Sequence, residues 1–198
     1  ISKKYPHLKI WVNDLYEPLV NFWQQLQMFG VELKDQLSEL KSKHNDPNSA
    51  RVLFLSSKER INSSDCSPID RAVAFYIVNK CSFSGLTESS SFSPQASTSN
   101  FSLRGIEKLP GYQEIISNWN INNYSYEYLM ETNNDRNIFM YLDPPYDIKD
   151  NLYGRKGSMH KGFNHDQFAS DCDKHSNIHM MVSYNSDQLV KDRFKNWK

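Results

Sequence analysis

Ile138-Phe139-Met140-Tyr141-Leu142-Asp143-Pro144-Pro145-Tyr146 is the stretch on which the fold turns. Its five leading apolar residues read as a short strand buried on both faces, the kind found inside parallel sheets. Pro144 has no N–H to give a ladder, so that strand must end at Asp143. Downstream, Asn164 with Gln167 predicts a capping box for a helix reaching about Lys174. Residues 178–183 then predict a second strand, and Ser186 is the expected cap of a closing helix to Phe194. Upstream, residues 8–12 read as a strand ending at Asn13-Asp14. Leu19, Phe22, Trp23, Leu26 and Phe29 follow at helical spacing, and Leu33, Leu37 and Leu40 carry the register to about Lys43. His44-Asn45-Asp46-Pro47-Asn48 reads as a breaker. Further helices are expected over 69–80 and 112–119, with a brief strand over 119–122. Strands alternating with helices predict an α/β fold with a mainly parallel sheet. Such sheets bind ligands at the carboxyl ends of their strands, where Asp14, Asn123 and Asp143 fall.

Composition bounds what this fold can do. A chain of 198 residues can bury one substantial core. Lys plus Arg and Asp plus Glu both total 23, so there is no global basic field, and any contact with a polyanion must be local. Cys66, Cys81 and Cys172 are odd in number and scattered, which reads as free thiols in a reducing compartment. No apolar run is long enough to span a bilayer and no charged-then-apolar leader is present, so the reading is a soluble intracellular chain. Residues 82–102 hold nine serines, with Gly85, Pro94 and scattered aromatics at Phe83, Phe92 and Phe101. They read as a flexible connection or hairpin, the alternative being a surface loop that orders on a partner. Cys172, His175 and His179 have part of a zinc spacing, but the set lacks a fourth ligand and crosses a predicted helix-to-strand break, so no metal site is expected. Neither a Ser-His-Asp pattern nor a phosphate loop can be recovered.

The chemistry sits in Asp143 to Tyr146. An adenine amino nitrogen is a poor nucleophile because its lone pair is delocalised into the ring. Two acceptors on its hydrogens, the Asp143 carboxylate and the Pro144 carbonyl, would favour a pyramidal nitrogen and aim its lone pair at a sulfonium methyl. Neither Pro144 nor Pro145 carries an N–H, and their fixed φ angles hold that carbonyl in place. Tyr146 offers a face on which an extruded base can stack. As a bare tetrapeptide this would be only a turn; the preceding strand and the acidic strand end at Asp14 give it chemical meaning. Ser183-Tyr184-Asn185, closing the later strand, reads either as a strand-end turn or as part of a base pocket.

These residues resemble the Dam-like adenine-specific DNA methyltransferases, a family with phage and restriction-modification members, and the resemblance covers most of the chain. Residues 13–22, Asn-Asp-Leu-Tyr-Glu-Pro-Leu-Val-Asn-Phe, look like the family's second motif. Residues 79–86, Asn-Lys-Cys-Ser-Phe-Ser-Gly-Leu, resemble its segment before the target-recognition hairpin, and Asp143 to Tyr146 is its catalytic DPPY motif. The resemblance implies a Rossmann-like S-adenosylmethionine-dependent methyltransferase sheet over 1–44 and 111–198. A mainly helical target-recognition insertion over 45–110 would interrupt it. It further implies S-adenosylmethionine as cofactor, Asp14 on its ribose hydroxyls, and double-stranded DNA as partner of a monomer in a bacterial cytoplasm, encoded by the bacterium or a phage. A helix-dipole role for Asp14 is compatible with this.

Two departures stand out. The family's glycine-rich first motif is absent, and the chain stops before the last strands of such a sheet, so the domain is expected to be truncated at the N-terminus and the C-terminus and inactive alone if the cradle is incomplete. The acidic residue beside an aromatic in the third motif is replaced by Asn123 and Tyr124, which would contact the cofactor adenine. Phosphate contacts are expected from Lys149, Arg155, Lys156 and Lys161 in a basic, glycine-containing loop, from Arg104, and more weakly from Lys58, Arg60 and Lys80. Methylation of an RNA or protein-glutamine amino group is the enzymatic alternative, but Asn at the first motif position is commoner there, so Asp143 favours DNA adenine. A catalytically incomplete DNA-binding fragment is the non-enzymatic alternative.

Overall fold

The computed structural model describes residues 1–83, 87, 89–133, 135–146 and 162–197. It divides into two compact units, Ile1–Asn123 and Tyr124–Lys198. In the first, β1 (Trp11–Asn13) leads into α1 (Glu17–Lys43), α2 (Pro47–Arg60), α3 (Pro68–Cys81), α4 (Pro94–Ser99), α5 (Leu103–Ile106), α6 (Leu109–Ile116) and β2 (Asn120–Asn122). β1 and β2 pair in parallel with Val12 beside Ile121, and the intervening helices form the long crossover that parallel pairing requires.

α1 is the spine of this unit. Much of its predicted apolar stripe is buried: Phe22, Leu26, Leu33 and Leu37 face a core completed by Val73 and Ile77 of α3 and by Ile106, Leu109 and Ile116, with Leu19, Trp23 and Leu40 partly buried against it, whereas Phe29, expected in the stripe, is exposed. Arg71 grips Glu17 through two 2.9 Å hydrogen bonds, fixing the start of α1 to α3. The helix is interrupted at Phe29, whose φ of −133° and ψ of 37° leave the helical region. Gly30 follows because there is no room for more: a Cβ there would lie 2.8 Å from the Gln113 Cβ of α6.

Several expectations need correction here. The breaker at Asp46-Pro47 is also a start, because the Asp46 carboxylate accepts from the N–H groups of Asn48 and Ser49 and caps α2, which was not foreseen. The serine-rich stretch is more than a connection. Ser93 and Ser102 cap α4 and α5, Ser82 and Phe92 form an antiparallel bridge, and Phe101 is fully buried beside Tyr76. The helix expected over 112–119 lies earlier, at Leu109–Ile116.

In the second unit, α7 (Tyr126–Thr132) precedes β3 (Phe139–Leu142), α8 (His165–Lys174), β4 (His179–Val182) and α9 (Gln188–Arg193). β3 and β4 are parallel and in register from Phe139 beside His179 to Leu142 beside Val182. Met130, Leu142, Phe168 and Cys172 form the core, ringed by Tyr126, Phe163, Tyr184 and Phe194. β3 is not buried on both faces: Leu142 is covered, whereas Phe139 and Tyr141 are exposed. Asn164 caps α8 through Gln167 N–H at 3.0 Å, but the Gln167 side chain turns to Asp171, so only half of the expected box forms. Asp187, not Ser186, caps α9. No helix among the described residues is long and apolar enough to cross a membrane.

Candidate active site

Two strand ends carry the candidate residues, one in each unit. In the first unit Asp14 follows β1, and its N–H donates to the Asn122 carbonyl, prolonging the pairing with β2 by one step. The Asn123 amide donates back to the Asp14 carbonyl at 2.8 Å, clasping the two strand ends together. The Asp14 carboxylate is exposed, and its Oδ1 accepts from the Tyr16 N–H at 2.7 Å, just ahead of α1. A negative charge is therefore held beside a helix N-terminus, where the dipole favours it. An exposed, oriented carboxylate is also an acceptor that fits the two hydroxyls of a vicinal diol such as a ribose. Asn123 is exposed.

In the second unit Asp143 follows β3 and Ser183 follows β4. The Ser183 N–H donates to the Leu142 carbonyl at 2.9 Å, continuing the ladder, and the Ser183 hydroxyl donates to Asp143 Oδ1. Asp143 is exposed, Pro144 is buried, and Pro145 and Tyr146 are half-buried. The Tyr146 ring lies 6.5 Å from that of Tyr184 at an interplanar angle of 26°, so two nearly parallel faces stand beyond the two strand ends. That separation is at the wide end of the range for interacting rings, about 4.5–7 Å.

Tyr184 is itself held from behind. Its hydroxyl is hydrogen-bonded to His165 Nδ1 of α8, and its ring packs on Phe168 and Phe194. Asp171, buried six residues along α8 from His165, accepts from the Tyr126 hydroxyl and from Gln167, tying α7 to α8. Burial pushes the Tyr126 hydroxyl up, so it stays a donor to Asp171. The thiols of Cys81 and Cys172 are each pushed up to about 12 by burial, and neither is a nucleophile near neutral pH.

Of the residues foreseen from sequence, Asp143, Pro144, Pro145, Tyr146 and Tyr184 come together at one strand-end cluster in the second unit. Asp14 and Asn123 come together in the first. Tyr124 is exposed and packs against Tyr128, with ring centroids 4.7 Å apart and the planes tilted by 47°. Arg104 is exposed on α5. Lys149, Arg155, Lys156 and Lys161 lie outside the described residues. His165 was not foreseen; its only signal was its place directly after the cap Asn164. The model of the D12 class N6 adenine-specific DNA methyltransferases matches residues 2–198. No curated protein matches the chain.

Proposed function

We propose, for a chain that belongs to the D12 class N6 adenine-specific DNA methyltransferase family, that Asp143 and the Pro144 carbonyl accept the two hydrogens of a flipped adenine's amino group. What carries the reading is the pairing seen at one strand end: an exposed carboxylate with one oxygen already held, and two near-parallel rings, Tyr146 three residues after Asp143 and Tyr184 one after Ser183. The family implies S-adenosylmethionine as methyl donor; when bound, it supplies a sulfonium methyl group. The chain's own residues then act on the amino nitrogen. Asp143 and Pro144 hold its hydrogens, favour the pyramidal geometry and direct the lone pair. Pro145 keeps the turn free of competing donors. Tyr146 and Tyr184 stack on the base, offsetting part of the cost of unstacking it from the duplex.

Asp14, Asn123, Tyr124 and Asp143 are assigned to the cofactor from the family resemblance, Asp14 to its ribose hydroxyls. A Rossmann-like sheet is supported by the parallel pairing within each unit and by acidic residues at the strand ends. Residues 45–110 are proposed as the target-recognition insertion in a catalytic domain made of 1–44 and 111–198, because they contribute helices rather than strands. Arg104, Lys149, Arg155, Lys156 and Lys161 are assigned to DNA phosphates on their charge.

The test is mass spectrometry of adenines in unmethylated duplex DNA incubated with S-adenosylmethionine and either wild type or Asp143→Ala. Loss of methylated adenine by at least a hundredfold is expected, the scale of removing one group that stabilises a transition state. Undiminished product from Asp143→Ala would sink the role given to this carboxylate.

A further inference from the structure

We infer that Ser183 is a positioning residue for methyl transfer: its hydroxyl fixes one oxygen of Asp143 so that the other is presented to the adenine amino group. The inference rests on Asp143 being the acceptor for that group. Its geometric basis is the pairing of β3 with β4. β3 and β4 are in register up to Leu142 beside Val182, which makes Asp143 and Ser183 the next lateral neighbours. The Ser183 backbone is pinned by its N–H to the Leu142 carbonyl at 2.9 Å, so the hydroxyl starts from a fixed point. From there it donates to Asp143 Oδ1, and no donor among the described residues meets the other oxygen.

The choice of donor matters chemically. Asp143 is exposed, and an unheld aspartate turns about two bonds, pointing its lone pairs at water for much of the time. An amino group can be pyramidalised only by an acceptor whose direction is set beforehand. Lys or Arg opposite Asp143 would fix it too, but would draw its charge into an ion pair and compete for both oxygens. Alanine would leave it loose. A serine hydroxyl is neutral, short and single-pronged: it occupies one oxygen and leaves the negative charge and the second oxygen for substrate. In the transfer itself the new N–CH3 bond would form as the donor's S–CH3 bond breaks, the sulfonium would leave as a neutral thioether, and the nitrogen would lose one proton to solvent.

The experiment compares wild type, Ser183→Ala, Ser183→Thr, Ser183→Val and Asp143→Ala in single-turnover methylation of unmethylated duplex DNA by S-adenosylmethionine. Thr and Val have the same shape and differ in the hydroxyl, so that pair separates donation from packing even if Ala perturbs folding. Loss of a hydrogen bond to a charged group predicts a rate reduced roughly ten- to a hundredfold in Ala and Val with the half-saturating DNA concentration within about threefold, and recovery in Thr. In parallel, the 13Cγ resonance of Asp143, assigned by its disappearance in Asp143→Ala, is expected to move in Ala and Val and to return in Thr. Equal rates in Thr and Val, or an unmoved resonance, would overturn the inference while Asp143→Ala remained inactive. An active Asp143→Ala would instead overturn the role of Asp143 itself, whatever the Ser183 variants did.

Discussion

Phe168→Ala isolates the support beneath the aromatic pair. Phe168 is 1% exposed and its ring meets those of Tyr126, Phe163, Tyr184 and Phe194 at 5.1, 5.4, 6.4 and 6.2 Å between centroids. Truncating a buried Phe costs about 3–5 kcal/mol, the spread depending on how far the surroundings collapse into the hole. All four neighbours are only half-buried, so they can swing inward or admit water, which places this site near the lower limit, about 3 kcal/mol. Cys172 reports the result directly. It is fully buried in the same core, and its thiol, pushed up to about 12, is unreactive until the unit opens. If opening limits alkylation as a rapid pre-equilibrium, 3 kcal/mol accelerates Cys172 labelling by about 10²-fold, at about 1.4 kcal/mol per decade. Cys81, buried in the core of the other unit, serves as the reference thiol in the same digest. Peptide mass spectrometry with iodoacetamide at pH 8 follows both. Labelling of Cys172 that rises by less than threefold would refute the premise that Phe168 holds this core together, and with it the account of how Tyr184 is held.

Alkaline stability carries a second signature. Burial pushes the Cys81 and Cys172 thiols up from their ordinary 9.0 to about 12 in the folded chain, so the unfolded chain loses those protons first. The stability linked to them is complete below about pH 9 and is lost as pH rises toward 12, at up to about 1.4 kcal/mol per pH unit for each thiol. Melting temperatures measured from pH 8 to 11 should fall less steeply in Cys81→Ala or Cys172→Ala than in wild type, and parallel slopes would contradict the burial argument. Asp14→Asn keeps an acceptor for the Tyr16 N–H but removes the charge. Titration calorimetry should show S-adenosylmethionine binding weakened about ten- to a hundredfold, as for loss of charge-assisted hydrogen bonds. A change under threefold would remove Asp14 from the cofactor site. Arg104→Ala should lower affinity for duplex DNA irrespective of sequence and reduce the slope of log affinity against log salt by about 0.9, the value for one phosphate contact. An unchanged slope in fluorescence anisotropy would take Arg104 out of the interface.

How much of this was legible beforehand depends on how local each signal is. The DPPY turn was readable because an apolar run, an acid and two prolines are contiguous, and the same holds for the strand over His179–Val182 and the cap at Asn164. α2 was equally local and was misread. Asp46-Pro47 stops one helix and starts another, and Ala50, Leu53, Phe54 and Ser57, all buried, keep the helical spacing that should have decided the matter. The serines of residues 82–102 misled in the same way, since composition counts them as loop formers whereas Ser93 and Ser102 each cap a helix. Burial of β3 was overestimated because a run of apolar residues does not say how many layers cover it; Phe139 and Tyr141 alternate outward as in a half-covered sheet.

The contact between Ser183 and Asp143 belongs to another category. It joins residues 40 positions apart and exists only because β3 and β4 pair in one register. Side chains alternate along a strand, so slipping β4 by a single residue would set Val182 or Tyr184 beside Asp143 in place of the hydroxyl. The hydrogen bond from the Ser183 N–H to the Leu142 carbonyl, one step past the last paired residues, fixes that register at the point where the chemistry begins. The apolar residues that make β4 a strand therefore do more than fill a core: by choosing the register they choose which side chain meets the carboxylate. A substitution that shifted β4 without unfolding it would on this argument silence Asp143 while leaving every residue of the DPPY motif in place.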